Sequence, residues 1–374
     1  MTPKPLRRKK ILIILPDLRG GGAEKMHVLL ANYWLSKGYD IEFILINGQD
    51  GILNEQLSPQ ITVVNLACDR FYKSFLPLVR YFRHSDASVI LSAMWPLTII
   101  SILAKIFSLS RIPLVFSEHS ILSKSFAHKN KFHKFLMRLS MRLLYPFAQG
   151  RIGVSYGVVK EIAQMSNMPL SKFQVIYNPA YVDKEDSVKQ NLTDDSKIII
   201  TAGSFKEVKN HQLLIKAFSQ YLQKYKIKTK LYILGDGSLR KEYELLIDSL
   251  GLNDCVVLPG FVRNPNSYFK SSDLFVLSSN HEGLGNVIIE ALGCGLPVVS
   301  TDCESGPREI LADGKFGSLV PINDVEKLSE AMLHAVRAEH DSNNLKLRAK
   351  EFSVEKIGEE YIKVLFDDVI KNEA

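Results

Sequence analysis

Two glutamates eight positions apart, Glu282 and Glu290, bracket a glycine-containing stretch within SSNHEGLGNVIIEALGCGLP (278–297). Their residue types suit a phosphorylated sugar. Glu282 precedes Gly283, Leu284 and Gly285, and Asn286 is placed to cap a helix beginning with Val287, Ile288 and Ile289. Glycines beside a helix N-terminus leave backbone N–H groups for phosphate oxygens. An ionised glutamate only accepts hydrogen bonds, so Glu282 and Glu290 could each hold sugar hydroxyls. At helical rise they lie roughly 12 Å apart, wider than the about 5 Å of a retaining glycosidase pair. The plainer alternative is one surface Glu, one helix-stabilising Glu and glycines kept for packing.

Two further sets of residues could contribute chemistry. Gly20-Gly21-Gly22-Ala23-Glu24 follows an apolar strand and opens a helix, without the GxGxxG of dinucleotide binding. No GxxxxGK[ST] occurs, which disfavours P-loop chemistry. Glu118-His119 stands where the strand Leu114–Ser117 ends, and ligands of parallel sheets gather at such carboxyl ends. A structural histidine is the alternative there. The four cysteines, Cys68, Cys255, Cys294 and Cys303, show no CxxC or Cys/His spacing and read as reduced thiols.

Positioning these residues requires two α/β halves. The 374 residues, 46% hydrophobic and 23% charged, fit a two-domain globular chain. Strands are expected at Lys9–Leu15, Ile41–Ile46, Ile61–Leu66, Val89–Ala93, Leu114–Ser117 and Arg151–Val154, alternating with helices. A second alternation begins at Ile198, with strands at Lys230–Leu234, Cys255–Leu258, Leu274–Leu277 and Val298–Ser300. The polar run 183–197 reads as the linker, giving domains 1–182 and 183–374, with final helices that could pack back on the first. Arg7–Lys10 precedes too short an apolar run for a signal peptide. Val89–Leu109 parses as strand, turn and helix, not as a membrane span.

Charge is unevenly divided. Residues 1–180 carry 23 Lys+Arg against 10 Asp+Glu, and the remainder 24 against 30. A basic first half suggests an anionic partner: phospholipid, nucleic acid or a phosphorylated substrate. Phe132, Phe135, Leu136, Leu139 and Leu143 recur at helical spacing, with Lys131, Lys134, Arg138 and Arg142 one position earlier. Such a helix suits the headgroup plane of an anionic membrane; a core helix with a solvated basic face is the alternative. No nucleic-acid motif is present.

Read together, GGGAE (20–24), GSFKEVKN (203–210), GDGSLR (235–240), PGFVRNP (259–265), EGLGNVIIE (282–290) and GLPVVSTDCESGPREIL (295–311) resemble the retaining glycosyltransferases of family 4. The resemblance spans nearly the whole chain and implies the GT-B architecture, two Rossmann-like doubly wound domains facing a central cleft. With EHS at 118–120, it looks most like bacterial enzymes that extend lipid-linked glycans of polysaccharide or lipopolysaccharide.

By that resemblance Lys209 grips the donor diphosphate, Glu290 binds the ribose hydroxyls and Glu282 faces the donor sugar. Gly283, Leu284, Gly285 and Asn286 supply backbone contacts, while Phe261, Val262 and Arg263 flank the base. Gly21 and Gly22 lie near phosphate and acceptor, and His119 near the reacting sugar. Ser204 departs from the family's frequent arginine, and Lys206 is the candidate substitute. The family's front-face mechanism needs no metal and no cofactor beyond the nucleotide sugar, and no DxD pair is placed for one.

The expected partners are a UDP-sugar, a polyprenyl-diphosphate or other lipid-linked glycan and an anionic membrane. The expected place is the cytoplasmic membrane face. An inert nucleotide-sugar-binding subunit, or another GT-B activity such as nucleotide-sugar epimerisation, is the alternative.

Overall fold

The computed structural model describes residues 9–48, 51–181, 190 and 195–368. Most of the expected linker, 183–189 and 191–194, lies outside these residues, as do Arg7 and Arg8 of the stretch weighed as a leader. The chain divides into two units, 1–179 with 354–374, and 180–353. The division falls three residues before the expected 182/183 boundary, and the last segment belongs to the first unit.

In the first unit seven parallel strands form one sheet: β1 (Lys10–Leu15), β2 (Asp40–Leu45), β3 (Thr62–Asn65), β4 (Val89–Ala93), β5 (Leu114–Glu118), β6 (Gly150–Gly153) and β7 (Gln174–Val175). Their order is β3-β2-β1-β4-β5-β6-β7. Ile11–Leu15 of β1 are fully buried, as a central strand covered by helices on both faces requires. The last segment closes this core. Trp34, from the helix Gly22–Ser36, donates its indole N–H to the Gly358 carbonyl at 3.1 Å. Tyr361 packs on Trp34 with centroids 6.0 Å apart, and Phe366 stacks on Tyr39 at 5.7 Å.

The second unit holds six parallel strands: β8 (Lys197–Ala202), β9 (Thr229–Leu234), β10 (Val256–Gly260), β11 (Leu274–Leu277), β12 (Val298–Thr301) and β13 (Ser318–Val320). Their order, β10-β9-β8-β11-β12-β13, is the 3-2-1-4-5-6 arrangement of a doubly wound sheet. Strand order reverses between β8 and β11 here, and between β1 and β4 in the first unit. Loops leaving these strands diverge to opposite faces and open a crevice.

Val89–Leu109 forms β4 and the helix Leu97–Ser108. Among the described residues, no helix is long and apolar enough to cross a membrane.

Candidate active site

The second unit's crevice brings together residues far apart in sequence. Lys209 lies in the 3-10 turn Glu207–Lys209 after β8, and Glu282 in the loop after β11. The Lys209 ammonium meets Glu282 Oε1 at 2.6 Å, with side chains 22% and 11% exposed. Ser279 donates its hydroxyl to the same oxygen at 2.6 Å. The backbone around them is fixed from both strands. Asn280 N–H donates to the Val208 carbonyl at 2.8 Å, and Ser278 Oγ donates to the Lys209 carbonyl at 3.0 Å. Glu282 N–H donates to Glu304 and its carbonyl accepts from Ser305 N–H, each at 3.0 Å. Charge-assisted bonds of this kind orient both partners.

The helix expected after Glu282 runs Asn286–Gly293, with a corrected cap. Gly285, not Asn286, is the N-cap; its φ of +95° is a conformation that glycine adopts without steric cost. Asn286 is therefore the first helical residue. The first turn of this helix follows closely on Glu282, and within it Ile288 N–H donates to the Gly285 carbonyl at 2.9 Å. Glu290, on the same helix, is half-buried. Only one of the two glutamates is helical, so the 12 Å helical estimate does not describe their separation. Leu284 is buried and Gly283 half-buried.

Phe261, Val262 and Arg263 follow β10, with Phe261 and Arg263 exposed and Val262 half-buried. Ser204 is half-buried and Lys206 exposed. Burial, and after it the Glu282 carboxylate, push the Cys303 thiol up to about 12, so it stays protonated beside the pair. Burial holds His211, which opens the next helix, neutral with a pKa of about 4.

The first unit has its own cluster around the ends of β1 and β5. Gly21 is the N-cap of the helix Gly22–Ser36, and a Cβ added there would sit 2.1 Å from Glu24 Oε2. The loop thus has a glycine where the Glu24 carboxylate folds back over it. His119 Nε2 lies 2.9 Å from Ser117 Oγ. A second imidazole, His27, stands edge-on to it with centroids 5.3 Å apart. His27 Nδ1 donates to the Ala23 carbonyl at 2.7 Å, which leaves Nε2 unprotonated. Burial lowers His27 to about 4, and burial together with His27 lowers His119 well below its ordinary value. Both rings are neutral. Sequence reasoning missed His27, an isolated polar residue inside an apolar helix with no motif around it.

Glu118, the neighbour of His119, turns into the core. It accepts from Trp95 N–H at 3.0 Å, Thr98 Oγ1 at 2.9 Å and Tyr145 OH at 2.7 Å. Burial raises its pKa to about 7 despite these three donors. It ties the ends of β4 and β5 to the helices beyond them and is fully buried, so it does not face the crevice.

The basic helix is Lys131–Leu144, capped by Asn130. Its buried residues are Met137 and Met141, whereas Phe132, Phe135, Leu136, Leu139 and Leu143 are all exposed. Lys131, Arg138 and Arg142 are exposed and Lys134 is half-buried, its ammonium on the Ala127 carbonyl at 2.7 Å. The expected apolar stripe therefore lies outside the core.

Two family models match the chain: Glycosyltransferase Family 4 over residues 20–184 and Glycosyl transferases group 1 over residues 182–352. The chain is 30% identical to a Campylobacter jejuni enzyme, N-acetylgalactosamine-N,N'-diacetylbacillosaminyl-diphospho-undecaprenol 4-alpha-N-acetylgalactosaminyltransferase, over 96% of this chain and 99% of that one. It is 28% identical to a second enzyme of that organism, GalNAc-alpha-(1->4)-GalNAc-alpha-(1->3)-diNAcBac-PP-undecaprenol alpha-1,4-N-acetyl-D-galactosaminyltransferase, over 97% and 99%. Anabaena Alr3699/HepE, solved with UDP and glucose, superposes with a TM-score of 0.80 at 20% identity, covering 96% of this chain and 100% of that one. With near-complete overlap and two consecutive family models, the chain belongs to glycosyltransferase family 4 and has the family's two Rossmann-like domains.

Proposed function

We propose that the protein is a retaining transferase that moves a hexose or N-acetylhexosamine from a UDP-sugar to a polyprenyl-diphosphate-linked or other lipid-linked glycan. The product belongs to surface polysaccharide, lipopolysaccharide or a related glycan. The observation that carries this reading is the Lys209–Glu282–Ser279 cluster at the strand-order reversal, directly before the Gly285–Asn286 helix start. The undecaprenyl-diphosphate acceptors in the names of the two Campylobacter relatives support the choice of acceptor.

In this reading Lys209 exchanges Glu282 for the donor diphosphate. Its charge and the helix N-terminus stabilise negative charge as the nucleoside diphosphate departs. Glu282, with Gly283, Leu284, Gly285 and Asn286, holds the donor sugar, and Glu290 the ribose. Phe261, Val262 and Arg263 flank the base. Gly21, Gly22 and His119 are assigned to the phosphate, the acceptor and the reacting sugar. His119 does so as a neutral imidazole. The departing phosphate takes the acceptor proton, without a metal. The enzyme works at the cytoplasmic face of the membrane, where such an acceptor is anchored.

The test is release of nucleoside diphosphate from a panel of nucleotide sugars, with membrane lipid extract as acceptor. UDP release that depends on lipid is expected, and Lys209→Ala should reduce it by about tenfold to a thousandfold. Glu290→Ala should chiefly weaken nucleotide affinity, and Glu282→Ala turnover. Unchanged nucleotide affinity in all three variants would place the donor elsewhere. Ser204, standing where the family often has arginine, favours a second reading, a binding subunit without turnover. Tight nucleotide binding with no release from any donor would establish that one.

A further inference from the structure

Exposed large apolar side chains are unevenly distributed. Of twenty among the described residues, twelve lie within 71–76, 106–109 and 132–147. These segments belong to three neighbouring helices of the first unit: Phe75–His84 with its preceding turn, Leu97–Ser108, and Lys131–Leu144 with the turn Tyr145–Phe147. Leu97–Ser108 lies between the other two. Phe107 at its end meets Phe75 edge to face, with centroids 5.5 Å apart. On its other side Lys105 donates to Gln149 at 2.6 Å.

The exposure is not incidental to packing. Leu109 caps the middle helix in the left-handed region, φ +57°, with 88% of its surface exposed. A glycine or asparagine normally takes that position, so an apolar side chain is held outward at a conformational cost. In Lys131–Leu144 the two methionines face inward, and the larger Phe/Leu stripe is turned roughly 165° away from them at 100° per residue. Lys131, Arg138 and Arg142 border that stripe. From His119 to Lys160 the sequence contains no Asp or Glu, so no acid stands along Lys131–Leu144; Asp69, next to the first segment, is exposed and paired with Lys73 at 2.8 Å.

We infer that this three-helix surface is a docking face for an anionic bilayer, with Phe107, Leu109 and Leu143 entering the acyl boundary and the arginines remaining among headgroups. A protein partner of matching shape would not require Lys131–Leu144 to be free of acids, whereas an anionic lipid surface gains from each cation near it. The inference extends the lipid-linked acceptor reading from one helix to a face, and it is tested without any sugar present.

Full-length protein is sedimented with vesicles of phosphatidylcholine containing 30% phosphatidylglycerol (about a third anionic lipid, as suits an electrostatic test) and with pure phosphatidylcholine. Binding to the first and much weaker binding to the second are expected. Phe107→Ser with Leu109→Ser leaves the basic helix untouched and should lower the partition coefficient by roughly tenfold or more, since two large apolar side chains lose their burial. Arg138→Glu with Arg142→Glu should abolish the preference for anionic lipid. Both pairs are exposed, so unchanged thermal melts are expected and establish that folding is intact. Wild-type binding by the Phe107/Leu109 variant would overturn the three-helix face. So would absence of wild-type binding at moderate salt, or a concentration-dependent dimer of the wild type that this variant abolishes. Loss of lipid binding with nucleotide release onto a detergent-dispersed acceptor retained would leave the transferase reading intact.

Discussion

Glu118 shows how a buried residue can look functional in sequence and serve position instead. Three donors suit its carboxylate, yet burial dominates and raises its pKa to about 7 from an ordinary 4.5. Between those values the folded chain keeps a proton that the unfolded chain releases. Its contribution to stability is therefore full below pH 4.5 and is lost as pH rises to 7. The span corresponds to about 3 kcal/mol. Glu118→Gln should remove that slope. Both tryptophans, Trp34 and Trp95, lie in the first unit, so urea midpoints followed by tryptophan emission from pH 4.5 to 8 isolate it. The difference between wild type and variant is the quantity to follow, because the depressed pKa of His27 contributes an opposite slope below pH 6.5. A constant difference across this range would show that Glu118 stays ionised throughout. At this scale Lys209 and Glu282 were legible because short motifs surround them. His27 was not, since one polar residue in an apolar helix carries no local signal of a partner ninety positions away.

Elements explain where the sequence reading succeeded and where it stopped. Each apolar run read as a strand became a parallel strand, because strands covered on both faces need unbroken apolar sequence. The three-residue β13, Ser318–Val320, was too short to stand out from its loop. The stripe of Lys131–Leu144 was visible, but periodicity cannot say which face a helix buries when methionines on the other face pack as well. The helix Asn286–Gly293 carries a prediction of its own. If its N-terminus and Lys209 hold the diphosphate charge, transfer survives excess EDTA. Activity lost in EDTA and restored by Mn²⁺ would refute this leaving-group chemistry. The helix Val354–Ile362 carries another. An exposed helical glycine changed to alanine gains about 1 kcal/mol, but a Cβ at Gly358 would lie 2.6 Å from Tyr33 ring carbons. Overpacking, typically about 1–3 kcal/mol, should win, so Gly358→Ala lowers the tryptophan-reported melt. A raised melt would mean that the Tyr33 ring yields freely.

For the whole molecule, the sequence disclosed two α/β halves, and the charge imbalance located the basic one. The path of the last segment was less legible, because helix 354–362 has the same periodicity whichever core receives it. That path has a consequence for biosynthesis. Residues 354–368 close the core of the unit that begins at the N-terminus, while 180–353 is an uninterrupted stretch. A ribosome therefore delivers the second unit complete before the first. Chains emerging vectorially ordinarily fold N-terminal part first; here the seven-stranded sheet must wait, with the surface beside Trp34 uncovered, until residues 354–368 have emerged. Stalled nascent chains exposing residues up to 353 should show a protease-resistant 180–353 region and a sensitive first unit. Resistance spreading to both only when the final segment clears the exit tunnel is the expected result. Early resistance of 9–179 would mean that its sheet closes without Ile357, Tyr361 and Leu365.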